Sequence, residues 1–129
     1  MDRATHPLKE KKILLIEDHR DLAEVLSRIL ALPGMHVRLA NSGTKALEML
    51  RREVPDLILL DLMLPDMDGL EVVTFVRQEE RLKHIPIVVI TGSFGRRKQC
   101  LERGCDDFIT KPVEAAELLR RLSLLVLRS

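Results

Sequence analysis

The run Leu57-Ile58-Leu59-Leu60-Asp61 limits what this chain can fold into more than any other stretch. Side chains of a strand alternate between its two faces, so four successive apolar residues predict a strand buried on both sides. Such strands belong to parallel sheets packed between layers of helices. Asp61 ends the run. In open α/β sheets ligand sites lie beyond the carboxyl ends of the strands, which is where this carboxylate would stand. Pro65 delays the next helix, and Asp68-Gly69 supplies turn chemistry before apolar residues of helical period resume. Asp61 is therefore expected on a short, stiff loop.

The rest of the chain alternates strand and helix. A first strand, Ile13 to Ile16, ends in Glu17-Asp18, a second acidic site at a strand's carboxyl end. Leu22, Val25, Leu26, Ile29 and Leu30 share one face of a helix, with Asp21 and Glu24 spaced to cap its first turn, and Pro33-Gly34 closes it. His36 to Ala40 alternates polar and apolar residues, which predicts an edge strand. Asn41-Ser42-Gly43 turns into a helix with Ala46, Leu47 and Leu50 inward, and Val72, Val73 and Val76 mark a third helix after Asp61. A fourth strand, Ile87 to Ile90, ends in Thr91. A helix over about Arg96 to Arg103 closes at Gly104, a short strand spans Phe108 to Thr110, and Lys111-Pro112 precedes a last helix with Leu118, Leu119, Leu122 and Leu125 inward. Five strands and five helices in alternation predict a doubly wound α/β domain with a parallel sheet. An edge position for strand 2 gives the order 2-1-3-4-5, with the switch point between strands 1 and 3.

Residues 11–129 read as one domain, large enough to bury about 68% of its unfolded surface. Residues 1–10 carry Pro, Lys, Glu and His without apolar period and read as a flexible leader. A net charge of +1 offers no broad footprint for nucleic acid, which is not expected to bind directly. Arg96-Arg97-Lys98 reads as a solvated helix face that a partner protein could also contact. Cys100 and Cys105 form no metal-binding or disulfide pattern and read as a packed thiol and a loop thiol. Apolar stretches fall well short of the roughly 20 residues of a membrane span, and the amino terminus has no signal-peptide core, so a cytoplasmic protein without membrane contact is expected.

The strand ends send Glu17, Asp18, Asp61, Thr91 and Lys111 to one edge of the sheet. Three carboxylates about 4 Å apart would repel by roughly 4 kcal/mol per pair at an effective dielectric near 20, so they require a cation or protons. Mg2+, which takes a few carboxylates, a carbonyl and retained waters, suits such an open cluster. Lys111 adds a positive charge and Thr91 a hydroxyl, a set that suits a phosphoryl group beside Asp61. His19 adjoins the acidic pair but reads as a solvent-facing residue, because Mg2+ prefers oxygen.

Glu17-Asp18, the run from Asp61 to Gly69, Ile90-Thr91-Gly92 and the run from Gly104 to Pro112 together resemble the receiver domain of two-component response regulators, over roughly residues 11–127. The resemblance implies a flavodoxin-like sheet and a phosphoacceptor role for Asp61, served by a histidine kinase or histidine phosphotransfer protein. It also implies that Asp18, Asp61 and the Met63 backbone carbonyl bind Mg2+, with Glu17 acting through water, and that Lys111 pairs with the phosphoryl oxygens. A cis Lys111-Pro112 bond, a swing of Thr91 toward the phosphoryl group and an inward movement of Phe108 are further implications. Phe108 lacks the hydroxyl of the Tyr common at that place, so packing alone is expected to carry its step.

Two departures stand out. The segment between Thr91 and Lys111 is a couple of residues shorter than usual in that family, and apolar Met63 overhangs the site, where it cannot orient a water. Slow loss of the phosphoryl group is the expectation. The last helix is apolar around much of its circumference at Leu122, Leu124, Leu125, Val126 and Leu127, which suggests a homodimer through helix 4, strand 5 and helix 5, or continuation into a longer chain. Output would pass through an effector protein or a fused domain. The alternative readings are a phosphorylation-independent docking or dimerisation module and a Mg2+-dependent phosphatase. The second is disfavoured because Met63 stands where such enzymes carry an acidic residue, so turnover of an external substrate is not expected.

Overall fold

Alternation along the central strand sorts the core into two layers. In the computed structural model, which describes residues 5–93 and 95–128, Leu57 and Leu59 join the cluster on one face of the sheet, and Ile58 and Leu60 join the other. The strands are β1 (Lys12–Ile16), β2 (His36–Ala40), β3 (Leu57–Leu60), β4 (Ile87–Thr91) and β5 (Asp107–Thr110). The helices are α1 (Arg20–Ala31), α2 (Gly43–Arg52), α3 (Leu70–Gln78), α4 (Arg97–Arg103) and α5 (Ala115–Arg128). All four strand pairings are parallel, in the order β2-β1-β3-β4-β5. Leu26 and Leu30 of α1 and Leu118, Leu122 and Leu125 of α5 cover one face. Ala46 and Leu50 of α2, Val72, Val73 and Val76 of α3 and Cys100 of α4 cover the other. The order is the one the edge character of β2 predicts, and it leaves the crevice between β1 and β3 at the carboxyl ends.

Several local expectations need correction. Residues 5–10 are not loose: Leu8 is 0% exposed within the α1/α5 layer. Its amide donates to His6 Nδ1 at 3.1 Å, and Glu10 N donates to the Gly34 carbonyl at 3.0 Å. A lone apolar residue has no period to read, which is why the segment looked like a leader; the leader expectation for residues 1–4 lies outside the described residues. Helix α1 is capped by the His19 ring, which accepts from Leu22 N, rather than by Asp21. It buries Ala23, Leu26 and Leu30 while Val25 faces solvent, so the buried face is rotated toward Ala23 from the one the apolar spacing suggests. Leu39 of β2 is also exposed.

The end of α4 forms a Schellman motif. Gly104 adopts φ 112°, its amide donates to Leu101 O, and Cys105 N donates to Cys100 O at 3.0 Å. Cys105, in the connection from α4 to β5, is thereby folded under the helix beside Cys100, so the loop thiol is buried as well as the packed one, and burial pushes Cys105 up to about 12. Arg77 of α3 ties this corner together. Its guanidinium donates to the carbonyls of Gly104, Lys83 and Ile85 and to Asp106 Oδ2, which also accepts from Ile87 N at 2.8 Å.

Leu8→Ala is expected to lower unfolding stability by about 2 to 5 kcal/mol, as for other fully buried leucines. Equilibrium urea denaturation would read it. A change within a few tenths of a kcal/mol would mean that residues 5–10 do not contribute to the folded core.

Candidate functional site at the carboxyl ends of the strands

The loop after β3 is a tight hairpin of its own. Met63 and Asp68 form an antiparallel bridge, and Gly69 N donates to Leu62 O at 2.7 Å. A side chain at Gly69 would bring its Cβ within 2.7 Å of Asp61 O and Leu62 Cα, so the backbone crossing requires glycine. On its outer side the loop is bonded to α2, where Asp66 accepts from Gly43 N, Thr44 N and Thr44 Oγ1. The Thr44 contacts hold the Asp66 carboxyl at about 2.

Three polar side chains are buried here, Glu17 after β1, Asp61 after β3 and Thr91 at the end of β4. Lys111, after β5, extends its ammonium between the two carboxylates. Nζ lies 2.7 Å from Asp61 Oδ2 and 3.5 Å from Glu17 Oε1. The other Asp61 oxygen accepts from Met63 N at 3.1 Å, and Glu17 Oε2 accepts from His19 N at 3.1 Å. Lys111 N donates to Thr91 O at 3.0 Å, which fixes the root of the lysine against β4. The Lys111-Pro112 bond is cis. Thr91 Oγ1 accepts from Ser93 N at 3.3 Å.

The sequence brought three carboxylates together, whereas the structure brings two around Lys111, with Asp18 exposed at the rim. Among the described residues, no three His, Cys, Asp or Glu side chains group so as to hold a metal ion. The donor set nevertheless suits Mg2+, which commonly takes only one or two carboxylates and completes its shell with water and phosphate oxygens. Two buried carboxylates facing one ammonium leave a net negative charge that favours a further cation. Phe108 is 7% exposed and packs in the layer that contains Cys100 and Cys105. His19 is exposed and serves as the α1 cap. Sequence reasoning missed Asp66, Arg77 and the pairing of Arg96 with Asp68, because each links segments more than 20 residues apart.

A profile for the response regulator receiver domain matches residues 13–123. The chain belongs to this family. Response regulator MprA of Mycobacterium leprae is 41% identical over 120 residues, covering 92% of this chain and 52% of that protein. MprA of Mycobacterium tuberculosis is 38% identical, with 92% and 51% covered. The receiver chain thus spans about half the length of the curated relatives it matches. A putative response regulator from Chloroflexus aurantiacus superposes with a TM-score of 0.88 at 33% identity, covering 93% of this chain and 100% of that one. The receiver domain of a Pseudomonas aeruginosa sensor histidine kinase, described with a magnesium ion coordinated in its active site cleft, superposes at 0.84 with 33% identity and 91% and 98% covered. The receiver reading of the sequence is therefore correct in fold and family, and neither the fold nor the relatives favour a docking-only module. No helix of the described residues is long and apolar enough to cross a membrane.

The electrostatics of the receiver site follow from its burial. Burial raises Glu17 above its ordinary value of 4.5, and the Asp61 charge adds to the rise, while the His19 amide and Lys111 oppose it only in part. Burial alone would lower the Lys111 ammonium, but the hydrogen bond and charge of Asp61, with Glu17 behind them, raise it. The folded chain therefore holds the Glu17 proton more tightly than the unfolded chain does. This contribution to stability is full below pH 4.5 and is lost as pH rises through the raised value. Glu17→Gln removes the buried charge, so the variant is expected to gain stability over the parent as pH climbs from 4.5 toward neutrality. Thermal unfolding at several pH values tests this, and a difference independent of pH would refute it.

Proposed function

We propose that Asp61 accepts a phosphoryl group from a phosphohistidine donor on a histidine kinase or histidine phosphotransfer protein. The observation that carries this reading is the Asp61 carboxylate at the end of the central strand, buried yet bonded to Lys111 Nζ at 2.7 Å. In the transfer an Asp61 oxygen attacks phosphorus, the P–O bond forms, and the P–N bond to the donor imidazole breaks. Buried in this way, the carboxylate is held in one orientation by Met63 N and Lys111, so catalysis is mainly positioning and charge. Glu17, Asp18, Asp61 and the Met63 carbonyl would hold Mg2+, which when bound neutralises charge on the transferred group. Lys111 then turns from the carboxylate to the phosphoryl oxygens, and the Thr91 hydroxyl, whose oxygen accepts from Ser93 N, donates its proton to the same group. The new charge of about −1.5 to −2 biases α4, β5 and α5 between two packings.

The same reading makes the chain its own substrate rather than a turnover enzyme, and places it in the cytoplasm with the donor kinase. Output passes to an effector protein or a fused domain. A second copy docking on the α4, β5 and α5 face is supported by exposed Leu124 and Leu127, which lie among Arg97, Asp107, Arg120 and Arg121. A net charge of +1 supports no direct contact with nucleic acid.

Intact mass after incubation with acetyl phosphate and Mg2+ should rise by one phosphoryl group in the parent and not in Asp61→Asn. An unchanged parent mass, also with a phosphohistidine donor, would end this reading. Met63 is 64% exposed above the site and offers no hydrogen bond from its side chain to an attacking water. The phosphoryl group is therefore expected to persist well beyond seconds and to be lost faster in Met63→Asn. Decay within seconds in the parent would contradict the role given to Met63.

A further inference from the structure

Helix α4 is seven residues long, and of these Cys100 alone is buried. Its hold on the neighbouring helix is therefore largely polar. Near its carboxyl end Arg103 Nη1 donates to Thr74 Oγ1 of α3 at 2.9 Å. At its amino end Arg96, the residue before the first turn, donates through Nη2 to Asp68 Oδ2 at 2.6 Å and through Nε to Gln99 Oε1 at 3.2 Å. Asp68 is no isolated surface acid. Its second oxygen accepts from Leu70 N at 3.0 Å and opens α3, and its backbone bridges to Met63. Met63 N in turn donates to Asp61 Oδ1 at 3.1 Å.

A contiguous chain of contacts thus runs from the guanidinium at the head of α4 to the acceptor carboxylate. We propose that Arg96 is a positioning residue that couples α4 to Asp61 through Asp68 and Met63. The proposal rests on the reading of Asp61 as the phosphoacceptor. When Asp61 takes up a phosphoryl group, the Met63 amide loses or changes its partner, the Met63–Asp68 bridge shifts, and the Arg96 contact carries that shift into α4. The coupling is reciprocal in equilibrium terms, so a partner that binds α4 in one position changes how strongly Asp61 holds the phosphoryl group. One charge-assisted contact, half open to solvent on the Asp68 side, is strong enough to set a position and weak enough to be exchanged.

The pair can be broken without breaking α3. Asp68→Asn keeps an acceptor for Leu70 N, since Asn opens helices as well as Asp does, but removes the charge that Arg96 meets. Backbone amide chemical shifts over residues 98–102 are compared before and after treatment with acetyl phosphate and Mg2+, with intact mass read on the same samples. In the parent these amides should shift on phosphorylation. In Arg96→Gln and Asp68→Asn the shift should shrink several-fold at an unchanged gain in mass, and Arg96→Lys should restore most of it. A phosphorylated Arg96→Gln chain whose α4 amides respond as the parent's do overturns the coupling alone. A parent that gains no phosphoryl group overturns the phosphoacceptor reading and the coupling with it.

Discussion

The ammonium of Lys111 between Asp61 and Glu17 is the contact on which the upper end of this molecule depends. Two carboxylates buried at the ends of adjacent parallel strands would repel strongly in a medium of low polarity. The lysine that meets them comes from the far end of the chain, across β4, and its backbone is tied to Thr91. The strand order therefore has an electrostatic as well as an apolar reason. With β5 beyond β4, a long cationic side chain can reach back over the sheet to the switch point, while the strand itself stays clear of the crevice. The same geometry makes the site responsive, because any anion that competes for Lys111 alters the balance that Glu17 and Asp61 share.

Around this contact the fold uses hydrogen-bonding hubs where apolar burial is thin. Arg77 satisfies three carbonyls and a carboxylate at the junction of α3, the approach to β4 and the end of α4. Few residues other than arginine could do so, since four bonds must leave one planar fork of donors. The cysteines at the turn of α4 complete that corner as small apolar groups. Their raised pKa values follow from burial and suit packing rather than thiolate chemistry.

The legible part of this protein was the part written in period and punctuation. Leu57 to Leu60 and Ile87 to Ile90 announced doubly buried strands, the alternation at His36 to Ala40 announced an edge, and these together imply the sheet order. The acidic and basic residues at strand ends could be assigned to one pole by topology alone. Side-chain pairings between distant loops were not legible, since Arg96 with Asp68 and Asp66 with Thr44 depend on how two loops approach in space. Leu8 escaped notice because one buried leucine has no pattern. That Glu17 would be buried while Asp18 stays exposed at the rim was not legible either, although adjacent residues after a strand point in opposite directions.

The loop that carries Asp61 has two unlike sides. Toward α2 it is fastened by the triple acceptance of Asp66 and by the Met67 side chain, which lies so close over Gly43 that a Cβ there would collide with Met67 Cγ and Sδ. Toward α4 it is held by the contact of Arg96 with Asp68. Under the proposed coupling, a disturbance at the acceptor pole therefore meets less resistance toward α4 than toward α2, so unequal fastening of one loop gives the domain a preferred side on which to yield.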